Sequence, residues 1–190
     1  DMGVNMAGFA IVDDAVCQEA SRMEILRRYY AGMVDRVRGK ADDSVVRKLE
    51  IVMQQADVTP DICPAVSAAL LKAETTGGPA GAMVLPDGRV VTGKTSELLG
   101  CSSALLLNAL KYLGNIPDEV QLISPSVIEP VQNLKVNVLG NKNPRLHIDE
   151  LLVALSICAV TDANAKKAVR QLQKLRGCEV NIFNRNSYTL

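Results

Sequence analysis

Apolar residues in the first third of the chain recur at helical spacing. From Asp14 onward they lie three or four positions apart, which places them on one face of a long helix. Asp42 and Asp43 are both suitable N-caps for a second helix, and a third is predicted over about 64–74. Short connections favour antiparallel neighbours. Residues 1–76 are therefore predicted to form an up-and-down helical bundle subdomain.

The pattern changes after Gly77-Gly78-Pro79. Two short β-prone runs flank Pro86-Asp87-Gly88, which predicts a hairpin. Strands and helices then alternate, which is typical of a sheet covered by helices. The predicted class is α/β (α+β), with a three-layer α/β sandwich subdomain over residues 77–190. Its further elements are a helix from Ser102 to Leu113, a buried strand from Val120 to Ser124, a short helical stretch with Pro125 and Pro130, a helix from Asn143-Pro144 through Val160, a helix from Asp162 to Leu175 and a strand from Cys178 to Phe183.

Composition excludes several classes of function. Twenty-one basic residues balance twenty-one acidic ones, and the chain has no Trp, two Phe and four Tyr, so it lacks the charge and the stacking surface of a nucleic-acid binder. The longest apolar run, Leu151 to Val160, is about half of the roughly 20 residues that cross a bilayer, so no membrane partner is expected. The five cysteines are scattered in apolar surroundings, which indicates a reducing, cytoplasmic location.

One segment formally matches a phosphate-binding P-loop. It reads Gly88-Arg-Val-Val-Thr-Gly93-Lys94-Thr95. Two consecutive β-branched residues after an Asp-Gly turn favour an extended strand, which cannot wrap a phosphate. The sequence predicts a hairpin here instead. A simpler hypothesis remains for Lys94, Thr95 and Ser96, because a strand-to-helix junction can hold a small anion.

A second polar cluster precedes the most apolar helix. It contains Asn141, Lys142, Asn143, Arg145 and the only histidine, His147. Loops held at the start of a rigid helix often bind ligands. The alternative is an N-capping loop in which Asn143 is the cap and the two basic side chains are solvated.

A metal site is not predicted from the ligands that the chain offers. His147 and Glu150 are three positions apart and share a helix face. A zinc-peptidase motif needs two histidines, and no Cys-x-x-Cys occurs either. No catalytic residue is assigned, since spacing identifies no nucleophile beside His147.

The first helix is rich in basic side chains. They indicate a solvated helix face or a surface that meets an acidic partner. This leaves a second function open, an oligomerisation or docking module with no ligand site of its own. The basic residues are Arg22, Arg27, Arg28, Arg36, Arg38 and Lys40.

Several longer strings carry a resemblance to a known family. They are Asp1-Met-Gly-Val-Asn-Met6, Ile11-Val-Asp-Asp14, Leu85-Pro-Asp-Gly-Arg-Val-Val-Thr-Gly-Lys-Thr-Ser96, Ser102-Ser-Ala-Leu-Leu-Leu-Asn-Ala-Leu-Lys111, Leu122-Ile-Ser-Pro125, Leu139-Gly-Asn-Lys-Asn-Pro-Arg-Leu-His147 and Leu175-Arg-Gly-Cys-Glu179. Together they closely resemble the C-terminal part of a mainly bacterial family, domain of unknown function 1846. Its members are sometimes labelled ATP-dependent zinc peptidases, so a metal-dependent peptidase is kept as the weakest alternative. The tail over 180–190 departs from the family pattern.

The resemblance implies a helical subdomain followed by an α/β subdomain of deaminase-like topology. It also implies longer relatives whose N-terminal half carries a Rossmann-like region with a glycine-rich loop. We therefore expect a fragment, the C-terminal portion of a larger cytoplasmic protein, with the missing N-terminal half and a second copy of the chain as partners. No cofactor is expected in this chain, and a nucleotide is expected in the full-length protein.

Both polar segments match motifs of the family, and they define the leading hypothesis. In it, loops 93–96 and 140–147 converge on a small anionic, phosphate-bearing ligand. Basic side chains supply charge, hydroxyls donate hydrogen bonds, and amides orient the loop. The residues concerned are Lys94, Thr95, Ser96, Asn141, Lys142, Asn143, Arg145 and His147.

Overall fold

The computed structural model describes residues 13–183. The resemblance strings within 1–12 and the tail over 184–190 lie outside the described residues. The chain divides into two compact units, one up to Cys63 and one from Pro64. The sequence analysis placed the subdomain boundary one helix later, between 76 and 77.

Over residues 13–63 the first unit comprises a pair of helices followed by a single 3-10 turn. Helix α1 spans Asp14–Val37, helix α2 spans Asp43–Gln55, and the turn spans Pro60–Ile62. Both helices begin at aspartates whose side chains accept backbone N–H groups, Asp13 for α1 and Asp42 for α2. The two helices pack against each other.

The helix predicted as the third member of the bundle belongs to the second unit. Helix α3 spans Pro64–Thr76 and packs against all three strands of the sheet. Its small residues Ala65, Ala69 and Ala73 are buried. A helix with an alanine face lies close to a sheet, so this one covers the sheet instead of completing a bundle.

Within the described range the sheet has three antiparallel strands in the order β2-β1-β3. Strand β1 spans Ala80–Val84, β2 spans Val90–Lys94 and β3 spans Val180–Phe183. Strands β1 and β2 form the predicted hairpin, and Gly88 adopts the φ of +81° that its turn requires. The segment that resembles a P-loop is thus confirmed as a strand. The fold is mixed α+β.

Helix α4, Cys101–Leu113, packs on β1 and β2 through Leu105. The contact is so close that a Cβ on Gly93 would lie 2.3 Å from the backbone nitrogen of Leu105. Side chains alternate along a strand, so the neighbours of Gly93 point to the opposite face, toward α3. The sheet therefore lies between two helices.

Three further helical elements share a core with α4. Helix α5 spans Pro125–Asn133 and continues into a π-helical turn over Leu134–Val138, α6 spans Ile148–Cys158, and α7 spans Ala163–Val169, followed by a 3-10 turn over Leu172–Leu175. Their shared core contains Leu110, Ile116, Leu122, Ile123, Ile128, Leu146, Leu151, Ala154, Leu155, Cys158, Ala165 and Ala168.

Two predicted elements of this region are wrong. Residues 120–124 are not a strand, because Leu122 and Ile123 are buried in the helical core and Ser124 caps α5. A short apolar run does not distinguish a strand from a buried connection. The helix predicted from Asn143 begins only at Ile148, because Leu146 pairs with Leu99 in an isolated parallel bridge.

Candidate functional site

The first polar segment, which we call the hairpin end, covers residues 93–99. Lys94 is the last residue of β2 and is exposed. The N–H of Thr95 donates to the carbonyl of Pro79 at 3.0 Å, which continues the hairpin ladder by one residue. Ser96 then closes a turn with Leu99, since its Oγ accepts from the Leu99 N–H at 3.1 Å and its own N–H donates to the Leu99 carbonyl at 2.9 Å. The hairpin end is thus held by local bonds.

The second polar segment, the asparagine loop, covers residues 140–147. Two asparagine side chains hold it in successive turns. Asn141 Oδ1 accepts from the Asn143 N–H at 3.0 Å, and Asn143 Oδ1 accepts from the Arg145 N–H at 3.1 Å. The Asn143 amide nitrogen also lies 3.3 Å from Nε2 of His147. Asn143 therefore orders the loop from within, and it does not cap α6 as one alternative had predicted.

The hairpin end and the asparagine loop meet in space. Arg145 Nε donates to the carbonyl of Ser96 at 2.7 Å. One residue further on, the Leu146 N–H donates to the Leu98 carbonyl at 2.9 Å. Leu146 is fully buried, so this contact is anchored in the core. Residues about fifty positions apart in sequence thereby form one site.

The N-terminus of helix α4 adjoins this junction. Gly100 is its N-cap residue and donates its N–H to the Leu146 carbonyl at 3.2 Å. The fully buried Ser103 donates its hydroxyl to the same carbonyl at 2.9 Å. A Cβ on Gly100 would lie 3.9 Å from Nδ1 of His147, so the imidazole stands beside the start of the helix.

A buried ion pair that the sequence analysis missed lies beneath the asparagine loop. Lys135 is only 4 % exposed, and its Nζ donates to Glu150 Oε2 at 2.8 Å and to the Arg145 carbonyl at 2.7 Å. Glu150 Oε2 also accepts from the His147 N–H at 2.8 Å. Partial burial of Glu150 raises its pKa, but the bonds from Lys135 and His147 outweigh this and hold the pKa below its ordinary value.

One signal in the sequence points to Lys135. Ile128, Val131 and Lys135 recur at spacings of three and four, so the lysine interrupts an apolar helix face. A charged residue at such a position is buried only when it has partners. No comparable pattern singled out Gly100 or Ser103.

Three of the predicted site residues lie outside the junction. Thr95 bonds the carbonyl of Pro79 instead. Lys94 and Lys142 are exposed, and neither side chain forms a hydrogen bond or an ion pair with a residue between 13 and 183. They remain candidate sources of charge. The junction itself is built by Ser96 and Arg145, with Asn141, Asn143 and His147 around it.

The described residues contain no candidate metal site and no membrane-spanning helix. Within residues 13–183 no three His, Cys, Asp or Glu side chains are grouped so that they would hold a metal ion. Glu150, which the sequence spacing places on one helix face with His147, bonds Lys135. None of the helices over the same residues is long and apolar enough to cross a membrane. Cys17, Cys101, Cys158 and Cys178 are free thiols.

Comparison with known proteins assigns both units to one family. The model of domain of unknown function DUF1846, C-terminal, matches residues 61–184, and the corresponding N-terminal model matches residues 1–57. The chain belongs to the DUF1846 family. The C-terminal match contains the whole junction between the hairpin end and the asparagine loop.

Curated relatives carry the name UPF0371 protein. The relative in Corynebacterium efficiens is 53 % identical over 180 residues, which is 95 % of this chain and 36 % of the relative. A Streptococcus thermophilus relative is 47 % identical over 179 residues, 94 % of this chain and 36 % of its own length. The chain thus spans about a third of the length of the curated relatives that it matches.

These matches correct the expectation about partners. The sequence analysis assigned the chain to the C-terminal part of the family and expected the missing N-terminal half as its partner. That expectation is wrong, because the N-terminal family model matches residues 1–57 of this chain. The first helical unit therefore corresponds to sequence of the N-terminal domain.

Proposed function

We propose that this chain binds a small anionic, phosphate-bearing ligand where the hairpin end meets the asparagine loop. The observation that carries the proposal is the bond from Arg145 Nε to the Ser96 carbonyl at 2.7 Å. That bond holds the guanidinium at the junction and uses one of its five N–H groups. The four Nη N–H groups form no hydrogen bond with any residue from 13 to 183. A planar guanidinium held in this way is suited to phosphate oxygens.

The start of helix α4 supports the same proposal. No side chain among the described residues caps this helix, because Gly100 occupies the N-cap position. The N–H groups in the first turn of a helix have no partner within the helix, and the helix dipole adds positive potential there. Arg145 and these N–H groups flank the same junction, an arrangement that favours a negative charge.

The remaining candidate residues fall into two groups. Lys94 and Lys142 add positive charge from exposed positions, and the hydroxyls of Thr95 and Ser96 offer hydrogen bonds. Asn141 and Asn143 shape the asparagine loop, and His147 lies against the helix start. In this proposal Arg145 binds the ligand directly, whereas the two asparagines act through the loop.

The proposal is tested by calorimetric titration of the 190-residue chain with inorganic phosphate, pyrophosphate and ATP. Arg145→Gln removes the charge and keeps a polar side chain. We expect it to weaken binding of the preferred anion by about tenfold or more, as for loss of a charge-assisted hydrogen bond. Comparison of the three anions identifies whether phosphate alone is recognised or a nucleotide is needed.

Arg170→Gln is the matched control. Arg170 is exposed on the same unit, and its side chain has no partner among residues 13–183. Its replacement changes the net charge by the same amount, so it corrects for general electrostatic attraction. Equal affinities for the two variants would contradict the proposed site.

Two broader expectations stay predictions. A deaminase-like topology is supported by a sheet lying between α3 and α4. The docking alternative is supported by apolar side chains that stand exposed on α1, namely Val16, Val34 and Val37.

A further inference from the structure

The buried Lys135 has an unusual position for a lysine. It lies in the π-helical turn that follows α5, with 4 % of its side chain exposed. A single π-helical turn often occurs at a functional site. A buried ammonium group needs hydrogen-bonding partners, whereas an apolar side chain of similar size would fill the same space without them. Packing alone therefore does not explain a lysine here.

Lys135 and Glu150 hold the asparagine loop at three places, once through the Lys135 backbone and twice through their charged side chains. At the start of the loop, the Asn141 N–H donates to the Lys135 carbonyl at 3.0 Å. In the middle, Lys135 Nζ donates to the Arg145 carbonyl at 2.7 Å. At the end, the His147 N–H donates to Glu150 Oε2 at 2.8 Å. Both members of the pair thus bond to the loop as well as to each other.

Arg145 is the residue on which these contacts converge. Lys135 holds its backbone from one side, and the Ser96 carbonyl holds its Nε from the other. With both attachments in place, the guanidinium has little freedom before a ligand arrives. Pre-organisation of this kind strengthens binding, because less conformational entropy is lost when the ligand binds.

We infer that Lys135 and Glu150 are positioning residues of the anion site, which place the Arg145 guanidinium and the His147 ring and touch no anion themselves. The inference rests on the proposed function. It goes further, since it assigns a role to two residues outside the polar motifs and predicts that their effect on binding is transmitted through Arg145.

A double-mutant cycle tests this role. Lys135→Met combined with Glu150→Gln removes both charges, so that neither is left buried alone. We expect this paired variant to weaken binding of inorganic phosphate or pyrophosphate by about tenfold when Arg145 is present, and by less than about twofold when Arg145 is replaced by Gln. A purely structural role would not produce this dependence on Arg145.

Lys111→Met is the matched control. Lys111 also donates its ammonium group to a loop carbonyl, that of Asp118 at 2.6 Å, but away from the asparagine loop. Its replacement is expected to leave phosphate affinity unchanged. Circular dichroism at the titration temperature establishes that each variant is folded. If the paired variant does not fold, Glu150→Gln alone is placed in the same cycle, and Lys135→Arg is expected to retain binding.

The outcomes separate the two proposals. If Arg145→Gln binds the anions as the natural chain does, the proposed function is overturned. If Arg145→Gln weakens binding while the folded paired variant, or Glu150→Gln in its place, binds normally, only the positioning role is overturned. Equal losses with and without Arg145 overturn it as well, because the effect then does not pass through that residue.

Discussion

Ser96 and Arg145 meet at the proposed anion site, but the segments that carry them are held by different kinds of contact. The hairpin end is held by the strand ladder and by the turn that Ser96 forms with Leu99. The asparagine loop is held by Lys135 from α5 and its π-helical turn and by Glu150 from α6. One side therefore depends on main-chain bonds of the hairpin and its turn, whereas the other depends, besides its own asparagine turns, on two charged side chains of the neighbouring helical elements.

Because of this difference, we expect the hairpin end and the asparagine loop to respond differently to substitutions. Local turns and ladders tolerate changes in surrounding helices, whereas a loop held by a buried ion pair depends on both partners. The hairpin end has its own weak point, however, because Gly93 lies against the backbone of α4. The three predictions that follow concern Gly93, the contact between helix α4 and the asparagine loop, and the ion pair.

The largest effect is expected from Gly93→Ala. The added Cβ would lie 2.3 Å from the Leu105 nitrogen and 2.5 Å from its Cα, and backbone atoms cannot move aside as a flexible side chain can. We expect the free energy of unfolding, measured in urea, to fall by about 3 kcal/mol. Gly78→Ala is the control, since nothing lies within 4 Å of its Cβ position, and it should change stability by less than about 0.5 kcal/mol. Similar losses in both variants would mean that the close packing of β2 on α4 is not what requires glycine.

A smaller effect is expected from Ser103→Ala. Its fully buried hydroxyl donates to the Leu146 carbonyl, and that carbonyl keeps one bond, from the Gly100 N–H, after the substitution. We expect a loss of about 1 kcal/mol in the free energy of unfolding. Ser102→Ala, one position away on α4, removes a hydroxyl that has no partner among residues 13–183 and should be nearly neutral. A neutral Ser103→Ala would show that the bond to Leu146 does not stabilise the junction.

The smallest effect is expected from protonation of Glu150, whose carboxylate is about a third exposed and therefore screened by solvent. The pKa of Glu150 is lower in the folded chain than its ordinary value. Its contribution to stability is therefore present above the unfolded-state pKa and is lost as the pH falls through the folded-state pKa. We expect the natural chain to be more stable than Glu150→Gln at pH 7, and this difference to shrink toward pH 3.

Urea unfolding of both proteins between pH 7 and pH 3 measures that difference. Other carboxylates with lowered pKa, those of Glu24, Asp42 and Asp87, are present in both proteins and cancel. A difference that stays constant over the whole pH range would contradict the role of the Glu150 carboxylate.

The sequence predicted the elements that local chemistry determines. The hairpin follows from Pro86-Asp87-Gly88 between β-prone runs, and helix α1 follows from its apolar spacing. The strand over 120–124 and the helix start at Asn143 were predicted wrongly. At both places a buried contact with another element outweighs the local preference.

For the candidate site, the sequence by itself determined which polar side chains are available and that two motifs carry them. Only the tertiary structure decided that Ser96 and Arg145 meet and that Lys135 and Glu150 lie beneath them. The physical reason is that turn and capping preferences act over a few neighbouring residues. A buried ion pair and a guanidinium bonded to a distant carbonyl exist only once the helices and the sheet have packed.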